Sequence, residues 1–171
     1  STYLTRHRAG STTFEHRSHA LDQELTVFVP PDAPVKVVRL TLGNRSARQR
    51  RVTATYYARL LLGTGPEATS HHLVIDYDAA NGALLARNAF TEGFGEQVAF
   101  LAGSHPVHGF TTDREEFIGR EGSLEDPAAL RRIGLSGQLE PGGDPCAALQ
   151  FHVDLAAGGR AELFFVLGRA Q

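Results

Sequence analysis

At 171 residues, 42% of them hydrophobic, the chain has the length of one domain and enough apolar material for a full core without disulfide or metal staples. With 17 basic and 19 acidic residues the net charge is −2, which excludes the strong basic field that recruits nucleic acid or an anionic membrane. The single cysteine, Cys146, excludes an internal disulfide framework and suits a reducing compartment, and no apolar run reaches the ~20 residues of a membrane helix.

The chain starts at Ser1 and contains no methionine, so we expect a piece of a longer polypeptide. Period-two alternation, the mark of half-buried strands, dominates the pattern. Leu25, Val27 and Val29 share one face of a run that Pro30-Pro31 ends. After an Asp32-Ala33-Pro34 turn, Val38, Leu40 and Leu42 alternate with Arg39 and Thr41 until Gly43-Asn44 breaks the chain. Val52, Ala54, Tyr56 and Ala58 alternate with Thr53, Thr55 and Tyr57, a β-branched and aromatic stretch that suits pleated sheet. Strands over residues 73–77 and 84–88 flank Asn81-Gly82, a dipeptide suited to a hairpin turn. Asp126, Pro127 and residues 128–132 read as the cap, first turn and body of the only helix candidate. Finally, Leu149, Phe151, Val153 and Leu155, then Gly158-Gly159, then Ala161, Leu163, Phe165 and Leu167 predict a C-terminal hairpin. Eight or more strands, 18 glycines and almost no helix predict an all-β antiparallel sandwich, one domain over residues 1–171.

Most motifs dissolve on inspection. Gly63-Thr64-Gly65-Pro66-Glu67-Ala68 spells a dinucleotide fingerprint, but the strand at residues 73–77 leaves no room for the helix that would hold a pyrophosphate. Asp76, Asp78, Asn81 and Gly82 are out of register for a calcium loop and read as a hairpin tip. Among eight histidines, His16 with His19 and His105 with His108 are three apart, which on a strand puts them on opposite faces; His71 and His72 are neighbours. We expect no metal site and no cofactor. No G-x-S-x-G elbow offers a hydrolase serine. Asn44-Arg45-Ser46 matches a glycosylation sequon without a secretion signal, and Arg48, Arg50 and Arg51 read as a solvated strand end.

The segment around residues 112–122 stands apart. It gathers carboxylates and two arginines around one aromatic, Phe117, in a loop after Phe110. Such groups beside an exposed ring suit sugar hydroxyls and a sugar face, and paired carboxylates at a set separation perform glycosidic acid–base work. The plainer alternative is a charged loop held by Arg–carboxylate pairs or docked onto another domain.

Several phrases, in order and spacing, resemble the β-sandwich domain of the inverting glycoside phosphorylases (glycoside hydrolase family 94, formerly glycosyltransferase family 36). They are Phe14-Glu15-His16, Gln23-Glu24-Leu25-Thr26-Val27-Phe28-Val29-Pro30, Pro34-Val35-Lys36-Val37-Val38-Arg39-Leu40-Thr41-Leu42 followed by Asn44 and Ser46, and Arg50-Arg51 before Thr55-Tyr56-Tyr57. Ala83-Leu84-Leu85-Ala86-Arg87-Asn88, Asp113-Arg114 with Glu116-Phe117-Ile118-Gly119-Arg120, and Asp144-Pro145-Cys146-Ala147-Ala148-Leu149-Gln150 look most like the C-terminal part of the cyclic β-1,2-glucan synthases. The resemblance runs over residues 8–168.

The resemblance implies a supersandwich similar to galactose mutarotase, with at most one or two short helices, preceding an (α/α)6 barrel in the same polypeptide. In the family that barrel carries the general-acid aspartate and the phosphate site, so no catalytic residue is carried onto this chain. The sandwich there supports dimerisation and sets a loop near the active site. We therefore expect a substrate-binding or domain-interface loop at Arg114, Glu116, Phe117 and Arg120. The implied function is a non-catalytic module of an enzyme that makes or trims β-glucan by reversible phosphorolysis. Its expected partners are the barrel, β-glucan oligosaccharide and phosphate through the parent enzyme, and a second copy; nucleic acid and direct membrane insertion are not expected. The glucan-synthase branch implies the cytoplasmic side of a bacterial inner membrane in which the parent is anchored. Two other readings stay open, since fold alone does not fix function. A stand-alone carbohydrate-binding module needs an exposed aromatic platform, against which no tryptophan, four tyrosines and core-pattern phenylalanines argue. A mutarotase-like epimerase needs a histidine and a carboxylate converging in one cleft, for which His105, His108 and Glu116 are the candidates.

Overall fold

The computed structural model describes residues 2–65, 69–90, 95–140 and 143–170. Along the chain run β1 (Tyr3–Arg8), β2 (Ser11–Ser18), β3 (Leu21–Phe28), β4 (Val35–Asn44), β5 (Arg50–Arg59), β6 (Leu73–Asp78), β7 (Ala83–Asn88), β8 (Val98–Gly103), β9 (Val107–Asp113), α1 (Arg114–Ile118), β10 (Pro145–Leu155) and β11 (Arg160–Ala170). Eight strands form one sheet in the order β1-β2-β3-β4-β11-β8-β7-β6, and β5-β10-β9 form a second. All these pairings are antiparallel. This is the all-β sandwich that the alternation predicts.

Alternation puts Leu149, Phe151, Val153 and Leu155 of β10 on the inner face, against Leu163 and Phe165 of β11 and Leu42 of β4. The Phe151 ring lies flat on Phe165, with centroids 4.7 Å apart and planes 3° apart. Tyr56 of β5 closes on Phe165 at 5.3 Å, and Tyr77 of β6 stacks on Phe110 of β9 at 4.1 Å. Burying a Leu or Phe this fully is worth about 1.5–3 kcal/mol, so β10 and β11 anchor the two sheets to each other.

Those two strands correct one expectation. They follow each other through a turn in which Gly158 has a φ of 68°, yet they do not pair. β10 bonds β5 and β9, and β11 bonds β4 and β8. The C-terminal hairpin is instead an arch from one sheet to the other. Alternation marks which face of a strand is buried; it does not mark the lateral neighbour, and here the two apolar faces meet across the core.

The helix expectation is also corrected. Residues 128–132 do not form an α-helix capped by Asp126. They hold one 3-10 turn (Ala128–Arg131) without a side-chain cap, and Asp126 pairs with Arg131 instead. Among the described elements the α-helix is α1, where the sequence suggests a loop. The Asn81-Gly82 tip is a hairpin turn, with Gly82 at φ 61° and the Asp78 carboxylate accepting from the Ala80 and Asn81 amides and from Asn81 Nδ2. Of the Gly63–Ala68 motif, Pro66, Glu67 and Ala68 lie outside the described residues. The Arg48–Arg51 cluster resolves into separate contacts: Arg51 forks onto Asp154 at 2.8 Å twice, and Arg50 donates to the His19 carbonyl.

Candidate functional site

The outer face of the small sheet carries the segment that the sequence singles out. Asp113 ends β9, and its carboxylate accepts the Glu115 amide at 2.9 Å, which starts α1. Gly119, at φ 97°, stops the helix after a single turn. Gly122 then passes so close that a Cβ there would lie 1.9 Å from the Ile118 carbonyl oxygen. Chain reversal at this point therefore depends on glycine.

Phe117 and Ile118 are 3% and 2% exposed and join Ala129, Cys146 and Ala148 in a second small core. Phe117 stacks on Tyr57 of β5 at 4.6 Å. The ring expected as an exposed sugar platform is thus the anchor that fastens α1 to the sheet. Burial explains the difference, because the apolar side chain has a facing ring one strand over that no local pattern reveals.

Glu116 is the polar counterpart of that anchor. Oε2 accepts from Ser136 Oγ at 2.8 Å and from Thr111 Oγ1, Oε1 accepts the Ser136 amide at 2.9 Å, and Arg132 stands 3.6 Å away. Burial pushes its carboxyl pKa up, but the bonds from Thr111 and Ser136 and the Arg132 charge outweigh burial and leave it below the ordinary glutamate value. The stability it lends is therefore complete above the usual carboxylate range and is lost as pH falls through the lowered value. Glu116→Gln is expected to destabilise the domain by about 1–3 kcal/mol at pH 7, by leaving one of these donors facing an NH2. In urea melts the gap between wild type and variant should narrow toward pH 3; a gap of equal size at both pH values would refute the role of the ionised carboxylate.

Arg114 and Arg120 sit at the periphery. Arg114 Nη1 bonds Asp144 Oδ2 at 3.1 Å, and Arg59 bonds the other oxygen at 3.2 Å. Asp144 and Arg59 line a cavity of about 330 Å3 together with Ser70 and His71. Arg120 is 87% exposed and pairs with Glu115 at 3.0 Å. The structure therefore brings Arg114, Glu116, Phe117 and Arg120 into one segment, α1 and the turn after it, but turns them to different tasks: Glu116 and Phe117 fix it, Arg114 ties to Asp144, and Arg120 is exposed. Thr111, Ser136, Tyr57 and Asp144 complete the site unforeseen. Only the Asp113-x-x-Glu116 spacing, a helix-start signal, was available in sequence.

The remaining candidates scatter. His108 is on the outer face, its ring tilted 32° against that of His152 at 3.5 Å and bonded to the Ile133 carbonyl. Burial, His108 and Arg51 together hold the His152 pKa below its ordinary value. His105 points the other way, toward Phe151 at 5.9 Å, and bonds Ser104. Among the described residues neither His105 nor His108 bonds a carboxylate, the pairing a mutarotase-like epimerase would need. Cys146 is fully buried; burial first, then the Asp113, Asp144 and Glu116 charges, push its thiol up to about 12 and keep it protonated at neutral pH. Among the described residues no three His, Cys, Asp or Glu side chains gather as a metal site, and no helix is long and apolar enough to cross a membrane.

Comparison with known proteins sharpens this geometry. The family model described as the glycosyl hydrolase 94 supersandwich domain matches residues 1–171. The cyclic beta-(1,2)-glucan synthase NdvB of Rhizobium meliloti (strain 1021) is 32% identical over 170 residues, which span 99% of this chain and 6% of that protein. The solabiose phosphorylase of Paenibacillus borealis is 25% identical over 172 residues, 99% of this chain and 22% of that enzyme. The chain thus spans less than a quarter of either relative. Among solved structures, a galactose mutarotase-like protein from Lactobacillus casei superposes with a TM-score of 0.52 at 9% identity, over 98% of this chain and 73% of that one. A polysaccharide lyase gives 0.51 at 9% identity, over 92% and 21%. At these identities the likeness speaks for the fold alone, which is galactose mutarotase-like.

Proposed function

This chain belongs to the glycosyl hydrolase 94 supersandwich domain family, and we propose that it serves as the non-catalytic β-sandwich module of a glucan-synthase- or phosphorylase-type enzyme. In this reading it braces an (α/α)6 catalytic barrel of the same polypeptide, supports pairing with a second copy, and holds α1 and its following turn against the glucan and phosphate site. We propose further that the parent is anchored in a bacterial inner membrane with this module on the cytoplasmic side. The observation that supports a positioning role is the engagement of the segment's carboxylates: Asp113 caps α1, Glu115 holds Arg120, and Glu116 holds Thr111 and Ser136. Such groups brace an arm, and Arg120, paired with Glu115 but 87% exposed, stands where a neighbouring domain can meet it.

The test is turnover. Given β-1,2-linked gluco-oligosaccharide and inorganic phosphate, the isolated chain should release no sugar 1-phosphate. A polypeptide carrying this domain together with its barrel should, and Arg120→Glu should reduce kcat/KM about tenfold, the effect of removing one charge-assisted contact. Sugar 1-phosphate formed by the isolated chain, or an Arg120→Glu enzyme as active as wild type, would overturn the proposal.

A further inference from the structure

The large sheet is wider than the small one. Contacts of Tyr56 and Phe151 with Phe165, and of Phe110 with Tyr77, place β5-β10-β9 over β11 and the strands toward β6. On the other side, β1 and β2 run on uncovered beyond the edge of β5. Their inner face follows from register. Phe14 lies opposite Leu25, which packs on the main core, and Tyr3, Thr5 and His7 lie opposite His16, Phe14 and Thr12.

That face has an unusual composition. On β1 and β2 it holds only rings and small polar groups: Tyr3, Thr5 and His7, then Thr12, Phe14, His16 and Ser18. The charged residues of the two strands, Arg6, Arg8, Glu15 and Arg17, all belong to the opposite face, where Arg6 pairs with Glu15 and Arg17 with Asp22. Tyr3 is stacked on His16 at 4.0 Å and 8°, and both Tyr3 (69% exposed) and Phe14 (39% exposed) meet solvent. His7 Nδ1 and Thr12 Oγ1 are 3.1 Å apart, and an open basin of about 690 Å3 continues from them past Phe14 to Val27 and Lys36, with Arg8 on its rim.

We propose that this ledge binds a neutral oligosaccharide chain, with sugar faces laid on Phe14 and on the Tyr3–His16 stack. The C–H face of a pyranose carries the partial positive charge that complements a ring's π-cloud, and Thr5, Thr12, His7 and Ser18 offer the two-way hydrogen bonding that hydroxyls require. Charge complementarity favours an uncharged ligand. An acidic partner would meet matching charge only at Lys36 and Arg8, at one end. A protein partner or a second copy would call for aliphatic side chains, and the inner face of β1 and β2 has none. The phenylalanine pattern reads mostly as core; Phe14, exposed like Phe90, departs from it and supplies the platform. The inference rests on the proposed glucan-enzyme role only for the choice of sugar.

The 15N-labelled chain is titrated with sophorotetraose, the uncharged β-1,2-linked glucose tetramer, and followed by amide NMR. Saturable shifts are expected on β1 and β2. Tyr3→Ala and Phe14→Ala should each weaken binding about tenfold, the worth of one stacked ring, and Phe14→Tyr should retain it. Tyr3 is largely exposed and Phe14 partly so; each variant should keep a cooperative melt and the wild-type amide pattern away from β1 and β2, which separates lost stacking from unfolding. Flat spectra at roughly 20 mM sugar, far above a useful affinity, would overturn the proposal. So would shifts confined to residues 114–120, or a concentration-dependent dimer that Tyr3→Ala dissolves. Turnover with a barrel reads the module role separately, so either idea can fail while the other stands.

Discussion

Gly103→Ala is expected to destabilise the domain by about 3 kcal/mol, an overpacking penalty at the upper end of the usual range. A Cβ at this position would lie 2.2 Å from Phe151 Cζ, 2.5 Å from its Cε2 and 2.8 Å from the Phe164 carbonyl oxygen. Phe151 cannot move aside, because it is fully buried with its other face flat on Phe165. Glycine in β8 is therefore the socket for the central ring of the core, and the two positions should behave as one unit. Phe151→Ala alone should cost about 3–5 kcal/mol through the cavity it leaves. The double variant should cost little more than Phe151→Ala, because the methyl then enters vacated space and only the contact with Phe164 remains. Chemical denaturation of the four proteins checks this cycle. Strict additivity would show that Gly103 is not the socket, since independent sites add and touching ones do not.

The same ring explains why much of the fold can be read from the sequence and some of it cannot. Strands with one dry and one wet face announce themselves, as Val38, Leu40 and Leu42 do in β4. β1 does not, because its six residues are all exposed and nothing selects for alternation. β10 fails in the opposite sense. Over residues 145–151 it is buried on both faces, with Cys146 and Ala148 beneath α1, so its first turns lack a polar phase and only Leu149 onward is legible. The arch between β10 and β11 is invisible for a related reason: a glycine turn between two alternating runs serves a hairpin and an arch equally well. At the candidate site, family phrases locate the element at residues 113–120, but the roles within it depend on Tyr57 and Ser136, distant in sequence and supplied by other segments. Phe117 reads as exposed until Tyr57 is placed over it. Phe14 reads as core until the end of the small sheet is known.

The second large effect is expected at Asn44, which the sequence marks as a chain break, a sequon and part of a family phrase, with no hint of its role. It is 2% exposed and every polar atom of its side chain is engaged. Nδ2 donates to the carbonyls of Arg48 at 2.8 Å and Ala156 at 2.9 Å, with Leu155 at 3.3 Å, and Oδ1 accepts from the Ser46 amide and hydroxyl at 3.0 and 2.7 Å. Its backbone amide donates to Gly159 at 2.9 Å. One side chain thus ties the end of β4, the turn into β5 and the arch from β10 to β11, two of the four connections by which the chain passes between the sheets. It is a structural amide whose nitrogen has no room for a glycan. Asn44→Ala strands two or three buried carbonyls at about 1–3 kcal/mol each, so a loss of roughly 3–5 kcal/mol is expected. Asn44→Asp should be as damaging at pH 7, because an ionised carboxylate would face carbonyl oxygens with no proton to give. That environment raises the folded-state pKa of the introduced acid above its unfolded value. Its deficit should therefore be smallest at acid pH, where the protonated form donates one bond, and should grow as pH rises toward 7. Urea melts of wild type and both variants at pH 4 and pH 7 decide it. An Asn44→Asp deficit independent of pH, or an Asn44→Ala protein as stable as wild type, would show that the arch is held by packing of Leu155 and its neighbours without the amide staple.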